Sequence, residues 1–169
     1  MSSHRGFSLL EVLIAVAIVM VALAALAPLF ALSINANTAA RTMTVATVLA
    51  ASKMEQLRSL TWAFDAGGFP IADPRLGASP SDALQRNSPG FCDFVDEYGG
   101  LVGEATTPPP GAVYLRRWSI EPLPADPANA IILQVLVTQR FSRGIEFGAG
   151  RAQPPDEARL VAVRTRKAP

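Results

Sequence analysis

A long apolar segment near the amino terminus constrains this chain more than any other feature of its sequence. Residues 12–27 carry no polar side chain, and the apolar composition resumes after Pro28 and reaches Leu32. As an α-helix, the segment from Val12 to Leu32 would span about 31 Å at ~1.5 Å per residue, against a bilayer hydrocarbon core of about 30 Å. The segment therefore predicts a transmembrane helix, and membrane lipid is its first expected partner.

The rest of the composition limits the classes of function. The formal net charge of the 169-residue chain is +1, so no strong field predicts specific nucleic-acid binding. The one histidine, His4, lies at the extreme amino terminus, and we find no phosphate-binding glycine loop, nucleophile motif or paired-cysteine metal site. We therefore expect no enzyme: no catalytic residue, no metal site and no cofactor. The single cysteine, Cys92, is either a buried thiol or a thiol that reacts or bridges two chains.

One carboxylate, Glu11, lies at the start of the apolar segment. A charge at mid-membrane depth costs about 2.5–3.5 kcal/mol on insertion scales. Neither a cleaved secretory signal peptide nor a plain membrane anchor requires a carboxylate at this position. Cleavage between Gly6 and Phe7 would instead create a cationic α-amino group four residues before Glu11, on the same helical face. In a packed helical bundle, Glu11 could then pair with the amino group of a neighbouring chain.

Residues 5–14, Arg-Gly-Phe-Ser-Leu-Leu-Glu-Val-Leu-Ile, resemble the cleavage and methylation motif of type IV pilins and type II secretion pseudopilins. In that family, a prepilin peptidase cuts after the glycine and methylates the new amino-terminal phenylalanine. The resemblance implies cleavage after Gly6, N-methylation of Phe7 and a role for Glu11 in assembly. Pro28 matches a proline common in the family, and its missing backbone donor predicts a kink or local melting of the helix.

The resemblance also implies partners and a location. The partners would be prepilin peptidase, other pilin or pseudopilin subunits and an inner-membrane assembly platform. Arg5 and the amino terminus favour a cytoplasmic start, so the carboxy-terminal domain would lie outside the cytoplasm, first on the inner membrane and then in a pilus or pseudopilus. A minor subunit is expected, because major pilins often carry a carboxy-terminal disulfide that this chain cannot form. The alternative is a single-pass, membrane-anchored binding domain exposed outside the cytoplasm.

The helix is predicted to extend from Phe7 to about Leu60, because residues 30–64 contain neither proline nor glycine. Beyond the apolar segment, apolar side chains recur at intervals of three and four, which is the amphipathic helical pattern. The stripe consists of Ala39, Met43, Ala46, Ala50, Met54 and Leu57. Its small residues permit close packing on a sheet or on another helix, and the sequence leaves both open.

The remaining chain predicts a loop followed by a small sheet. Residues 63–111 contain seven prolines and eight glycines, which is typical of irregular structure, with one short strand possible at Phe91–Val95. Three strands are predicted after it, at Val113–Glu121, Ala130–Phe141 and Arg159–Arg166, in an antiparallel meander.

The predicted fold is therefore α+β, a long helix packed by its second half on a small antiparallel sheet. We divide the chain into a leader peptide (1–6), a transmembrane and assembly helix (7–32), its amphipathic continuation (33–62), a connecting loop (63–112) and a strand meander (113–169).

Three clusters of charged residues lie outside the motif. Arg116 shares a strand face with Trp118, which predicts a cation–π contact on the sheet surface. Asp93, Asp96 and Glu97 could supply oxygen ligands to calcium, although their spacing fits no standard calcium loop. The terminal basic residues, Arg164, Arg166 and Lys167, are predicted to form a solvated edge that discourages strand addition.

Overall fold

The computed structural model describes residues 8–139 and 157–167. Its elements are helix α1 (Leu9–Ser59) and strands β1 (Trp62–Phe64), β2 (Pro70–Ala72), β3 (Cys92–Val95), β4 (Leu101–Gly103), β5 (Tyr114–Pro122), β6 (Ala130–Gln139) and β7 (Glu157–Thr165). A short 3-10 turn, Pro74–Leu76, follows β2. The chain divides into two units, Met1–Ala40 and Arg41–Pro169.

Helix α1 starts where the carbonyl of Ser8 accepts hydrogen bonds from the backbone amides of Glu11 (3.0 Å) and Val12 (3.2 Å). It continues for 51 residues and remains helical at Pro28. The kink expected at this proline remains a prediction. By length and composition the helix is able to cross a membrane. All side chains of residues 9–38 are exposed. No other part of the described chain therefore packs against the apolar surface of this segment.

The carboxy-terminal unit contains a five-stranded sheet in the order β4-β3-β5-β6-β7, with every neighbouring pair antiparallel. The predicted meander of three long strands is confirmed as β5, β6 and β7. The predicted extension of the second strand past Gln139 lies outside the described residues. A separate hairpin pairs β1 with β2.

The segment predicted as a connecting loop is more regular than its composition indicates. Strand β3 confirms the short strand expected near Phe91–Val95. Strands β1, β2 and β4 have three residues each, too few for an alternating pattern to be recognised in the sequence.

The core lies between α1 and the sheet, which confirms the predicted α+β fold. From α1, the buried residues are Ala46, Leu49, Ala50, Met54 and Leu57. They join one apolar cluster with the alternating residues of β6, namely Ile131, Leu133, Val135 and Val137. The amphipathic stripe thus packs on a sheet rather than on another helix of this chain. Its first members lie outside the core, since Met43 is 41% exposed.

The connecting segment covers part of the opposite face of the sheet. A second buried cluster there contains Cys92, Phe94, Ala112 and Leu115. Arg117 of β5 donates to the Asn87 side chain (2.9 Å), which holds the segment onto this face.

Candidate processing and assembly site

The predicted assembly residue, Glu11, lies in the first turn of α1 and is exposed. The first turn presents unpaired backbone N–H groups and the positive end of the helix dipole, so a carboxylate is favourable there. Gly6 and Phe7 lie outside the described residues. The proposed cleavage and methylation sites therefore stay predictions from the motif.

The surface that follows Glu11 is apolar on all sides of the helix. Val12 is 52% exposed, Val21 71% and Phe30 67%. An uninterrupted apolar surface of this extent is unfavourable in water and is stable in lipid or against other apolar helices. The segment combines a terminal charge with a lipid-compatible surface.

The first 27 residues match a family model described as the prokaryotic N-terminal methylation motif. This motif is the signature of type IV pilins and pseudopilins, and it confirms the resemblance inferred from residues 5–14. The amino-terminal segment is therefore that of a type IV pilin-like precursor of the kind that prepilin peptidase processes. No curated protein and no solved structure matches the chain.

The carboxy-terminal unit contains a buried ionic cluster that the sequence did not predict. Asp93 of β3 is the register partner of Arg116 on β5, and its carboxylate accepts two hydrogen bonds from that guanidinium, at 2.6 and 2.9 Å. Lys53 of α1 donates to the same carboxylate at 2.9 Å. The side chain of Asp93 is 1% exposed, so this cluster joins the helix to two strands in the protein interior.

The predicted surface contact between Arg116 and an aromatic ring was wrong. Arg116 is buried and binds Asp93, because β3 pairs beside β5 and places the carboxylate directly opposite. The cation over the Trp118 ring is Lys53, whose Nζ lies 3.6 Å from the ring centroid. A strand pattern gives the face of Arg116 but not the neighbouring strand, so the sequence alone could not assign this partner.

The acidic residues considered as calcium ligands have other partners. Asp93 is neutralised by two cations, and Asp96 closes a turn by accepting hydrogen bonds from the amides of Tyr98 (2.9 Å) and Gly100 (2.7 Å). No group of three metal-ligating side chains occurs in the described ranges. We therefore assign Asp93 and Asp96 to structure.

The terminal arginines also differ from the prediction. Arg164 of β7 donates to the carbonyls of Leu57 (3.2 Å) and Leu60 (2.6 Å), at the end of α1 where backbone acceptors lack helical partners. Burial lowers the pKa of the Arg164 guanidinium. The unsatisfied carbonyls that every helix end presents were a usable signal, but the sequence does not show which donor reaches them.

Arg166 fastens the β1–β2 hairpin rather than extending into solvent. Its guanidinium lies 3.7 Å from the centroid of the Trp62 ring and donates to the Ile71 carbonyl at 2.8 Å. The side chain of Lys167 is exposed, but its backbone pairs with β1: its carbonyl accepts from the Phe64 amide (3.0 Å) and its amide donates to the Trp62 carbonyl (3.1 Å). The prediction of an edge that discourages strand addition is therefore wrong at this end of the chain.

Cys92 is a buried thiol, which decides between the two interpretations of the sequence. It is 1% exposed, and its Sγ lies 3.6 Å from the Ala105 carbonyl oxygen. Burial raises the pKa of the thiol, so little of the reactive thiolate forms at neutral pH.

Proposed function

We propose that this chain is a minor pilin or pseudopilin, a structural subunit rather than an enzyme. Prepilin peptidase cuts it after Gly6 and methylates Phe7, and an inner-membrane platform then adds it to a type IV pilus or a type II secretion pseudopilus. Before assembly, its amino terminus lies in the cytoplasm and its carboxy-terminal domain outside. The observation that carries the proposal is the methylation motif at residues 1–27, followed by one continuous helix with an exposed apolar surface.

The position of Glu11 supports a mechanism for adding subunits in register. Cleavage leaves a cationic amine on Phe7, and methylation preserves its charge. When helices pack together, an unpaired carboxylate in apolar surroundings is costly, whereas a carboxylate next to a neighbour's amine is compensated. Only one axial offset between adjacent helices brings these two groups together, so the charge pair selects that offset.

The amino terminus of the mature chain tests the proposal. We expect mass spectrometry of the protein from cells with a working prepilin peptidase to find methylated Phe7 as the first residue. The matched control is the same strain without the peptidase, where the chain should begin at Met1. A chain that starts at Met1 in both strains, or near residues 25–28, contradicts the proposal and favours a membrane-anchored binding domain or a secreted protein.

Abundance and location test the finer assignment. A minor subunit should be present in sheared surface filaments at a small fraction of the major pilin, as measured by quantitative mass spectrometry. A pseudopilin should instead remain with the cell envelope, and its deletion should block secretion of type II substrates without removing surface pili. A chain that forms the bulk of the filament contradicts the assignment to a minor subunit.

A further inference from the structure

Helix α1 contains a short polar stretch between its apolar part and its buried part. We call residues 33–44 the polar segment, which begins after Pro28 and is therefore separate from the kink expected there. None of the side chains of this segment is buried, and the first buried residue of α1 is Ala46. The division between the two units of the chain, after Ala40, also falls within the polar segment.

The residue types of the polar segment favour a helix only weakly. Seven of its twelve residues are β-branched or have short polar side chains, and both kinds have a lower helix propensity than alanine. These residues are Ser33, Ile34, Asn35, Asn37, Thr38, Thr42 and Thr44. The segment has one charged residue, Arg41, so no ion pair between successive turns can form within it to offset the low propensity.

Threonine hydroxyls also compete for the backbone carbonyls of the polar segment. The hydroxyl of Thr38 donates to the Ile34 carbonyl at 2.9 Å, and the hydroxyl of Thr47 donates to the Met43 carbonyl at 2.8 Å. A carbonyl bound in this way shares its capacity between the hydroxyl and the helical N–H donor. Such contacts slightly destabilise helices and often bend them.

The parts of α1 on either side are stabilised by surroundings that the polar segment lacks. On one side, the apolar residues suit lipid, where an opened backbone amide would find no water to bind. On the other side, Ala46 and Ala50 are fully buried, and Lys53 donates to Asp93 at 2.9 Å. A largely polar, exposed helix gains neither kind of support, so the polar segment should open at the lowest cost in free energy.

We infer that the polar segment is a joint, whose helix opens and closes locally while the apolar part and the buried part of α1 both remain helical. Its residues span about 18 Å as a helix and up to about 40 Å when extended. Opening therefore provides extra length between Ser33 and Thr44. The inference goes beyond the proposed function, because the joint requires neither cleavage nor assembly. If the proposed function is correct, the extra length allows the apolar helix to leave lipid for a filament without disturbing the core.

Hydrogen exchange of the full-length chain in lipid nanodiscs tests the joint. We expect the amides of residues 36–44 to exchange at least about tenfold faster than those of residues 14–24 and of residues 49–57, because opening the polar segment costs less than opening either neighbouring part. Exchange in residues 36–44 as slow as on both sides would overturn the inference and show that α1 is uniformly stable.

Paired substitutions locate the opening. Ala36 in the polar segment and Ala51 in the packed part of α1 are both exposed, and glycine has the same lower helix propensity at each position. Ala36→Gly should accelerate exchange in residues 36–44 about fivefold, whereas the matched control, Ala51→Gly, should leave that exchange unchanged. In the opposite direction, Asn37→Ala combined with Thr38→Ala should slow the exchange about three- to tenfold.

The outcomes separate this inference from the proposed function, because mass spectrometry identifies the amino terminus of the same sample. A chain from cells with a working prepilin peptidase that still starts at Met1 contradicts the proposed function alone. Equal acceleration by Ala36→Gly and Ala51→Gly overturns the joint, since α1 outside the lipid would then open as one unit. Unchanged exchange after the two alanine substitutions also overturns the joint and leaves the proposed function intact.

Discussion

The Nζ of Lys53 lies 2.9 Å from Oδ2 of Asp93, a hydrogen-bonded ion pair between residues 40 positions apart in the chain. Lys53 belongs to the buried side of α1 and Asp93 to β3, so the pair fixes the helix to the sheet. The guanidinium of Arg116 binds the same carboxylate. One buried anion therefore compensates two cations, and its removal would leave both without a counterion.

Replacing that anion is expected to destabilise the carboxy-terminal unit strongly. Asp93→Asn keeps the size of the side chain but leaves Lys53 and Arg116 as uncompensated buried charges, which should lower the free energy of unfolding by about 3–5 kcal/mol. Urea unfolding of the full-length chain in detergent, followed by Trp fluorescence, measures the change. The matched control is Glu55→Gln, which breaks the exposed Glu55–Arg58 pair and should cost less than about 1 kcal/mol. Equal effects of the two variants would show that the cluster does not stabilise the fold.

Removing the guanidinium at the end of α1 should loosen the helix terminus. Arg164→Ala deprives the carbonyls of Leu57 and Leu60 of their donor, at a cost of about 1–3 kcal/mol. Hydrogen exchange should accelerate in residues 55–64 and remain unchanged in β5 and β6. Arg159→Ala is the control, because Arg159 is exposed on the same strand and donates to the Gln134 side chain rather than to the helix. Acceleration by both variants alike would assign the effect to β7 as a whole rather than to the cap.

The thiol of Cys92 should be unreactive in the folded protein. Because burial raises its pKa, the folded chain holds less thiolate than a free cysteine at any given pH, and reagents also lack access to Sγ. We expect labelling by a thiol-specific disulfide reagent at neutral pH to require unfolding, with a rate that rises as urea is added. Non-reducing gels should show no dimer bridged through Cys92. Rapid labelling without denaturant would contradict the buried position.

Substitution of Glu11 separates processing from assembly. Glu11→Ala should leave cleavage after Gly6 intact but reduce incorporation into filaments or pseudopili by more than about tenfold, because loss of one partner of a buried pair costs ~3–5 kcal/mol. Glu11→Gln should fail similarly, since it keeps the shape but not the charge, whereas Glu11→Asp should retain partial assembly. Immunoblots of sheared filaments or isolated envelope assemblies, with mass spectrometry of the amino terminus, measure both steps. Normal incorporation of Glu11→Gln would rule out charge pairing as the reason for this carboxylate.

Features that depend on local sequence were predicted correctly. The methylation motif is contiguous, and a helix or strand repeats its apolar residues at a fixed interval, so residues 1–27, helix α1 and the meander β5–β7 could all be recognised without coordinates. The buried side of α1 was predicted from Ala46 onward for the same reason. Cleavage at Gly6 and the role of Glu11 stay predictions, because they concern a peptidase and neighbouring chains.

The tertiary structure alone decided which charges meet. Alternation along β5 gave the face of Arg116, but its anion comes from β3 and the cation over Trp118 comes from α1. Arg164 and Arg166 looked like a solvated terminus because the helix end and the hairpin they bind lie about a hundred positions earlier in the chain. Side-chain partners of this kind depend on strand order and on helix placement, and these follow from the packing of the whole core rather than from any local pattern.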